Sequence, residues 1–283
     1  MTGDTKKGAP WRALLATVVF MWCLGAGPAA AADTAERIVS AFLAAKGADF
    51  FVLPEERELF VRAVDALAEG GSQPAKRMQV ISAMESLEDG NARIASRVLS
   101  DWYDRGDMAA PDAARQVAVV VGLGDIGNAH GAFRKAMKQE PGNPVNWFLL
   151  GHALSRSGKN DLAEMAFQQV QLLSNLSGES TYAARASARL GGLYLAQGKL
   201  ERAEELLTGA IAGLSVSGPQ SEVAIAYLSL GEIYAVRAHA TLKQALGAFE
   251  NAGWRRDVGA VGKQMQSLES AFPSLAGESA PAR

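Results

Sequence analysis

The chain has 283 residues, with 28 basic and 30 acidic side chains, a net charge of −2 and one cysteine, Cys23. That balance excludes the dense basic footprint of a nucleic-acid binder, and a lone cysteine excludes a disulfide framework or a cysteine zinc site. A hydrophobic share of 48% is enough to build a packed core and excludes a chain too polar to fold.

At the N-terminus, Lys6, Lys7 and Arg12 flank an apolar run from Ala13 to Gly27, and small residues follow from Ala29 to Ala32. This order of charge, apolar stretch and small residues predicts a secretory signal peptide over residues 1–32, cleaved after Ala32. An apolar run of about 15 residues falls short of the roughly 20 that a membrane-spanning helix needs. Cys23 lies inside the signal behind bulky Phe20, Met21 and Trp22, unlike a lipoprotein signal, so the exported chain carries no thiol. Removing Lys6, Lys7, Arg12 and Asp4 leaves 25 basic and 29 acidic residues, a net charge near −4. The expected location is the periplasm or the exterior, and the alternative is an uncleaved N-terminal anchor.

From Asp33 onward apolar residues recur at three- and four-residue intervals, which predicts helices and no strands. Residues 33–46 form a first short helix. Pro54 then opens a second, where Glu55 and Glu56 suit the positive end of the macrodipole and Gly70-Gly71 stop it. Its buried face is Phe60, Val64 and Leu67. Residues 33–75 are therefore expected to be an N-terminal helical cap or leading module.

Beyond residue 75 the chain repeats. Ala129, Phe133, Ala136 and Pro141 are followed by Trp147, Leu150, Gly151, Leu154, Ala163, Phe167 and Val170, with Gly158 between the two helices. Next come Leu190, Gly191, Tyr194, Gly198, Ala203, Leu207 and Ala210. Then follow Tyr227, Leu230, Gly231 and Tyr234, with Ala245, Phe249 and Ala252 after two extra residues. A degenerate copy offers Ala83, Gly90, Ala95 and Leu99. Small residues at fixed places let two helices approach closely, while bulky ones fill the space between hairpins. The copies span 76–109, 110–143, 144–177, 184–217 and 224–253. The longer spacing of the last two is expected to create loops at Ser174–Glu179 and Ser215–Gln220. Residues 254–272 form a C-terminal capping helix, and residues 273–283 a disordered tail.

These residues at a period of 34 resemble the tetratricopeptide repeat family. The resemblance implies an all-α fold, a right-handed α-solenoid of tetratricopeptide-like helical hairpins with capping helices. It also implies a concave surface lined by the first helix of each hairpin, giving Val145, Phe148, His152 and Arg156, then Arg185 and Leu195, then Ile225, Leu228 and Glu232. The Lys/Asn/Arg clamp by which chaperone-binding members grip a C-terminal carboxylate is absent. A mostly apolar groove suits an amphipathic helix or an extended apolar segment of a protein partner, unless the chain's own terminal helix fills it.

Other chemistry finds less support. Val117–Val121 runs into Gly122-Leu123-Gly124-Asp125-Ile126-Gly127, the glycine spacing of a dinucleotide fingerprint, which would make the chain a nucleotide-binding enzyme. The required second strand is missing, because Phe133–Gln139 continues a helix before Pro141-Gly142. His130, His152 and His239 fall in separate repeats without metal-ligand spacing. Glu85, Glu88 and Asp89 read as a solvated acidic face, and Arg105-Gly106-Asp107 as an inter-repeat loop. The expected function is an exported scaffold or adaptor, not an enzyme, needing no cofactor and no metal and binding a protein or peptide of the cell envelope. An accessory role in envelope polysaccharide export or secretion would use the same fold.

Overall fold

The computed structural model describes residues 28–109, 112–124 and 129–279, and all its regular structure is helical. In chain order the helices are α1 (Pro28–Lys46), α2 (Pro54–Gly70), α3 (Arg77–Glu88), α4 (Arg93–Asp104), α5 (Ala113–Gly124) and α6 (Ala129–Gln139). They continue as α7 (Pro144–Arg156), α8 (Asn160–Ser177), α9 (Ser180–Ala196), α10 (Leu200–Ser217), α11 (Gln220–Ala252) and α12 (Arg255–Ala271). Residues 1–27 of the expected signal lie outside the described residues. The chain forms two compact units, residues up to Ala163 and residues from Glu164 on, with the boundary inside α8.

The first unit is built on α2. Pro54 stands in its first turn, as the fixed φ of proline favours, and Phe60, Val64 and Leu67 are fully buried as the spacing predicts. Each such side chain stabilises the fold by roughly 1.5–3 kcal/mol. Phe60 joins an aromatic cluster with Phe42, Phe50 and Phe51, in which the Phe42 and Phe60 rings are 4.7 Å apart and Phe50 meets Phe42 edge-on at 5.5 Å. At the other end of α2, a Cβ on Gly70 would stand 2.4 Å from the Trp102 ring, so only glycine admits the buried indole of α4. Beyond the expected cap role, α2 lies against α5 as well as against α1, α3 and α4. The degenerate copy is a true hairpin of α3 and α4, with Ala83, Ala95 and Leu99 buried and Gly90 at φ +73° closing its turn.

In the second unit α9 and α10 form the best-defined hairpin. Gly198 turns the chain at φ +73°, a conformation that any Cβ would strain. Tyr194, Ala203, Leu207 and Ile211 then pack with Ala226, Leu230 and Ile233 of α11 into one core. The glycine at the eighth repeat position does what the spacing requires: a Cβ on Gly191 would stand 2.6 Å from Leu207 Cγ and 3.3 Å from the Ala203 carbonyl oxygen.

Three sequence expectations are corrected here. The longer repeats extend their helices: α8 and α10 run to Ser177 and Ser217 and the next helices start at Ser180 and Gln220, so only residues 178–179 and 218–219 of the stretches expected to be irregular lie outside a helix. The last copy is no hairpin, since α11 continues for 33 residues through the expected turn. Its stretch Arg237-Ala238-His239-Ala240-Thr241 has no glycine like Gly158 or Gly198, which turn the other hairpins at φ +72° and +73°. The turn comes instead at Gly253, φ +75°, and α12 folds back on α11, where His239 Nε2 lies 3.0 Å from Glu269 Oε1. Lastly, the expected tail is ordered over Pro273–Ser279 as a 3₁₀ segment in which Leu275 is buried, and removing that side chain from water offsets part of the entropy lost on ordering.

Candidate functional site

The candidate surface is the face of the first helices that the repeat pattern assigns to the concave groove. On α7 it is already covered. Asn143 caps this helix by accepting from the Val145 N–H at 2.9 Å, and Pro144 fits its first turn. Val145 is half-buried, and Phe148 is 0% exposed. His152 is buried too, and Arg156 Nη1 donates to Glu56 Oε1 of α2 at 2.8 Å. The Arg156 guanidinium also sits 4.7 Å over the Phe50 ring, a cation–π contact. Glu56 Oε2 stands 3.6 Å from His152 Nε2, and neither atom makes a hydrogen bond. Phe148, His152 and Arg156 are thus internal contacts of the first unit, a correction to their assignment as an open groove. The polar side of this cover comes from α2, whose Glu56 supplies the opposite charge to Arg156 and stands beside His152.

Arg185 on α9 is likewise internal. Its Nε and Nη2 donate to the two carboxylate oxygens of Glu222 on α11, both at 2.9 Å, with both side chains almost wholly buried. Arg189 approaches the same carboxylate at 3.5 Å, and the Arg185 guanidinium lies 4.8 Å over the Tyr182 ring. This fork fixes α9 against α11. It is a structural bridge, not a polar point for a ligand. Leu195 is half-buried and packs on the Tyr194 core.

The open part lies on α11. Leu228 is 62% exposed and Ile225, one turn earlier, 39%; Glu232, one turn later, is exposed. Neighbouring α9 contributes Gly192, whose Cα faces open space. Of the nine residues assigned from the sequence, Ile225, Leu228 and Glu232 form a continuous exposed strip in the second unit. Sequence reasoning missed Glu56 and Glu222. Both stand in the first turn of a helix, where an acid is ordinarily explained by the macrodipole, so neither carried a signal of burial.

The described part of the glycine-rich run, Gly122–Gly124, is helical. Val117–Val121 belongs to α5, so Gly122 and Gly124 continue a helix where the fingerprint needs a strand and a turn. A Cβ on Gly124 would stand 2.9 Å from the Ala92 carbonyl group, so this glycine serves the close approach of α5 to the start of α4. Asp125, Ile126 and Gly127 lie outside the described residues. Among the described residues no group of three or more His, Cys, Asp or Glu could hold a metal ion, and no helix is long and apolar enough to cross a membrane.

No curated protein matches the chain. Residues 145–175, the stretch from α7 through most of α8, match the Tetratricopeptide repeat family model, and with the all-helical hairpins they support a repeat protein of that type, a class that mediates protein–protein interaction.

Proposed function

We propose that the protein is an exported, non-enzymatic scaffold of the cell envelope that binds a protein partner on the exposed face of α11, through Ile225, Leu228 and Glu232. The observation that carries this reading is Leu228, 62% exposed beside Ile225 at 39% on a helix whose Ala226, Leu230 and Ile233 are held in the core with α9 and α10. Neighbouring apolar side chains exposed on a rigid face favour association with another apolar surface. The hairpins beneath are packed already, so binding orders little of this chain. An amphipathic helix with a basic residue near Glu232 fits the strip. Export rests on the basic, apolar and small-residue order of residues 1–32.

Leu228→Asp tests the surface, because the side chain is exposed and its replacement leaves the core intact. Photo-crosslinking from position 225 in intact cells should give a defined adduct in the wild type that the Leu228→Asp chain loses at unchanged helical content. Equal adducts from both would refute the surface. Fractionation should recover a shortened chain beginning at Asp33 outside the inner membrane; a full-length cytoplasmic chain would refute export.

A further inference from the structure

In the α9–α10 hairpin, packed residues are symmetric about Gln197: Gly191 faces Ala203, with Leu207 one turn on, and the glycine is closed to 2.6 Å. In the last repeat the equivalent residues are Gly231, Ala245 and Phe249, symmetric in the same way about Ala238. Here Gly231 has nothing within 4 Å of its Cβ position. Straight α11 separates Gly231 from Ala245 by about 21 Å along its axis, so one copy cannot bring the two together.

At about 100° per residue, Tyr227, Gly231, Tyr234, Ala238, Ala245, Phe249 and Ala252 share one face of α11. Much of this face is open: Tyr227 is 58% and Tyr234 51% exposed, Ala238, Thr241, Ala248 and Ala252 are exposed as well, and Gly231, Ala245 and Phe249 are half-buried, the Phe249 ring stacked at 5.8 Å on Trp254. Helix α10 covers the side of Ala226, Leu230 and Ile233, while α12 meets the side of His239. The face therefore carries both halves of a hairpin interface, glycine half and alanine half, along one rod.

We infer that α11 pairs antiparallel with α11 of a second copy about a two-fold axis at Ala238. Gly231 of each copy then receives Ala245 and Phe249 of the other, and Tyr227 meets Phe249. The pairing repeats in trans, twice, the packing that α9 and α10 make in cis. It is isologous, as a closed dimer requires. Four half-exposed tyrosines, two phenylalanines and the alanines between them bring the total buried area to about 1,000 Å², the threshold of a specific interface. The strip of Ile225, Leu228 and Glu232 lies on another side of α11, so this dimer stands or falls apart from the proposed partner surface.

The test uses the full chain with Cys23→Ser, whose only cysteines are those introduced. Light scattering should give the mass of two chains, and Ala238→Glu, an exposed change that sets two carboxylates against each other, should raise the dissociation constant at least about tenfold. A short bis-maleimide should link Ala238→Cys between chains and leave Lys243→Cys, on a different face, unlinked. A wild-type mass of one chain would overturn the inference. So would a link between Gly231→Cys and Ala245→Cys confined to a single chain, which would mean that α11 breaks and folds back on itself.

Discussion

Arg156 of α7 donates a 2.8 Å hydrogen bond to Glu56 of α2, one hundred residues earlier in the chain. The pair closes the first unit, because it brings the N-terminal module onto the face of a repeat helix that the pattern assigns to the groove. It converts a face that the repeat pattern leaves open into an interior one.

Removing one member of this pair should cost more than removing both. Arg156→Met strands Glu56, a nearly buried carboxylate, and Glu56→Gln releases the guanidinium. A fully buried pair broken on one side costs about 3–5 kcal/mol. The Arg156 side chain is 26% exposed, so water screens part of the effect, and about 2 kcal/mol is expected for Arg156→Met. Urea unfolding of both single variants and the double variant should give a coupling of about 1 kcal/mol or more. Additive effects would mean that the pair contributes nothing specific.

Gly191 and Gly231 occupy the same repeat position, and the same substitution should act on them with opposite sign. Gly191→Ala drives a methyl group against Leu207 and should destabilise by about 1–3 kcal/mol. In a chain kept monomeric by Ala238→Glu, Gly231→Ala meets open space and removes the entropic penalty of glycine inside a helix, so it should stabilise by about 0.5–1 kcal/mol. Thermal melts read both. A loss of stability at Gly231 would show that something already packs there within one copy.

Asp65 on α2 supplies a pH signature. Burial, and then the neighbouring charge of Glu69, hold its carboxyl above the ordinary aspartate value. A raised folded pKa means that the ionised form is disfavoured in the fold, so the folded state loses stability as pH rises through that pKa. Asp65→Asn should melt higher than the wild type at neutral pH. The gain should shrink as pH falls below the ordinary carboxylate range, where Asp65 is protonated in both folded and unfolded chains. A gain independent of pH would assign the effect to packing.

The sequence alone determined what is local and periodic. The spacing of Phe60, Val64 and Leu67 fixes the buried face of α2, and Gly191 with Ala203 and Leu207 fixes the approach of α9 to α10, because residues three and four apart share a helix face whatever surrounds it. The glycine turns were legible for the same reason, since Gly158 and Gly198 adopt a backbone that L side chains resist. Tertiary structure decided the rest. Glu56 and Glu222 look like helix-start acids until Arg156 and Arg185 are brought to them from 100 and 37 residues away. Whether residues 237–241 turn or run straight depends on a competition, which α12 wins by packing along one side of the far half of α11 and holding His239. Which first helices stay open follows from such partners, Glu56 for α7 and Glu222 for α9, long-range choices that no local period encodes.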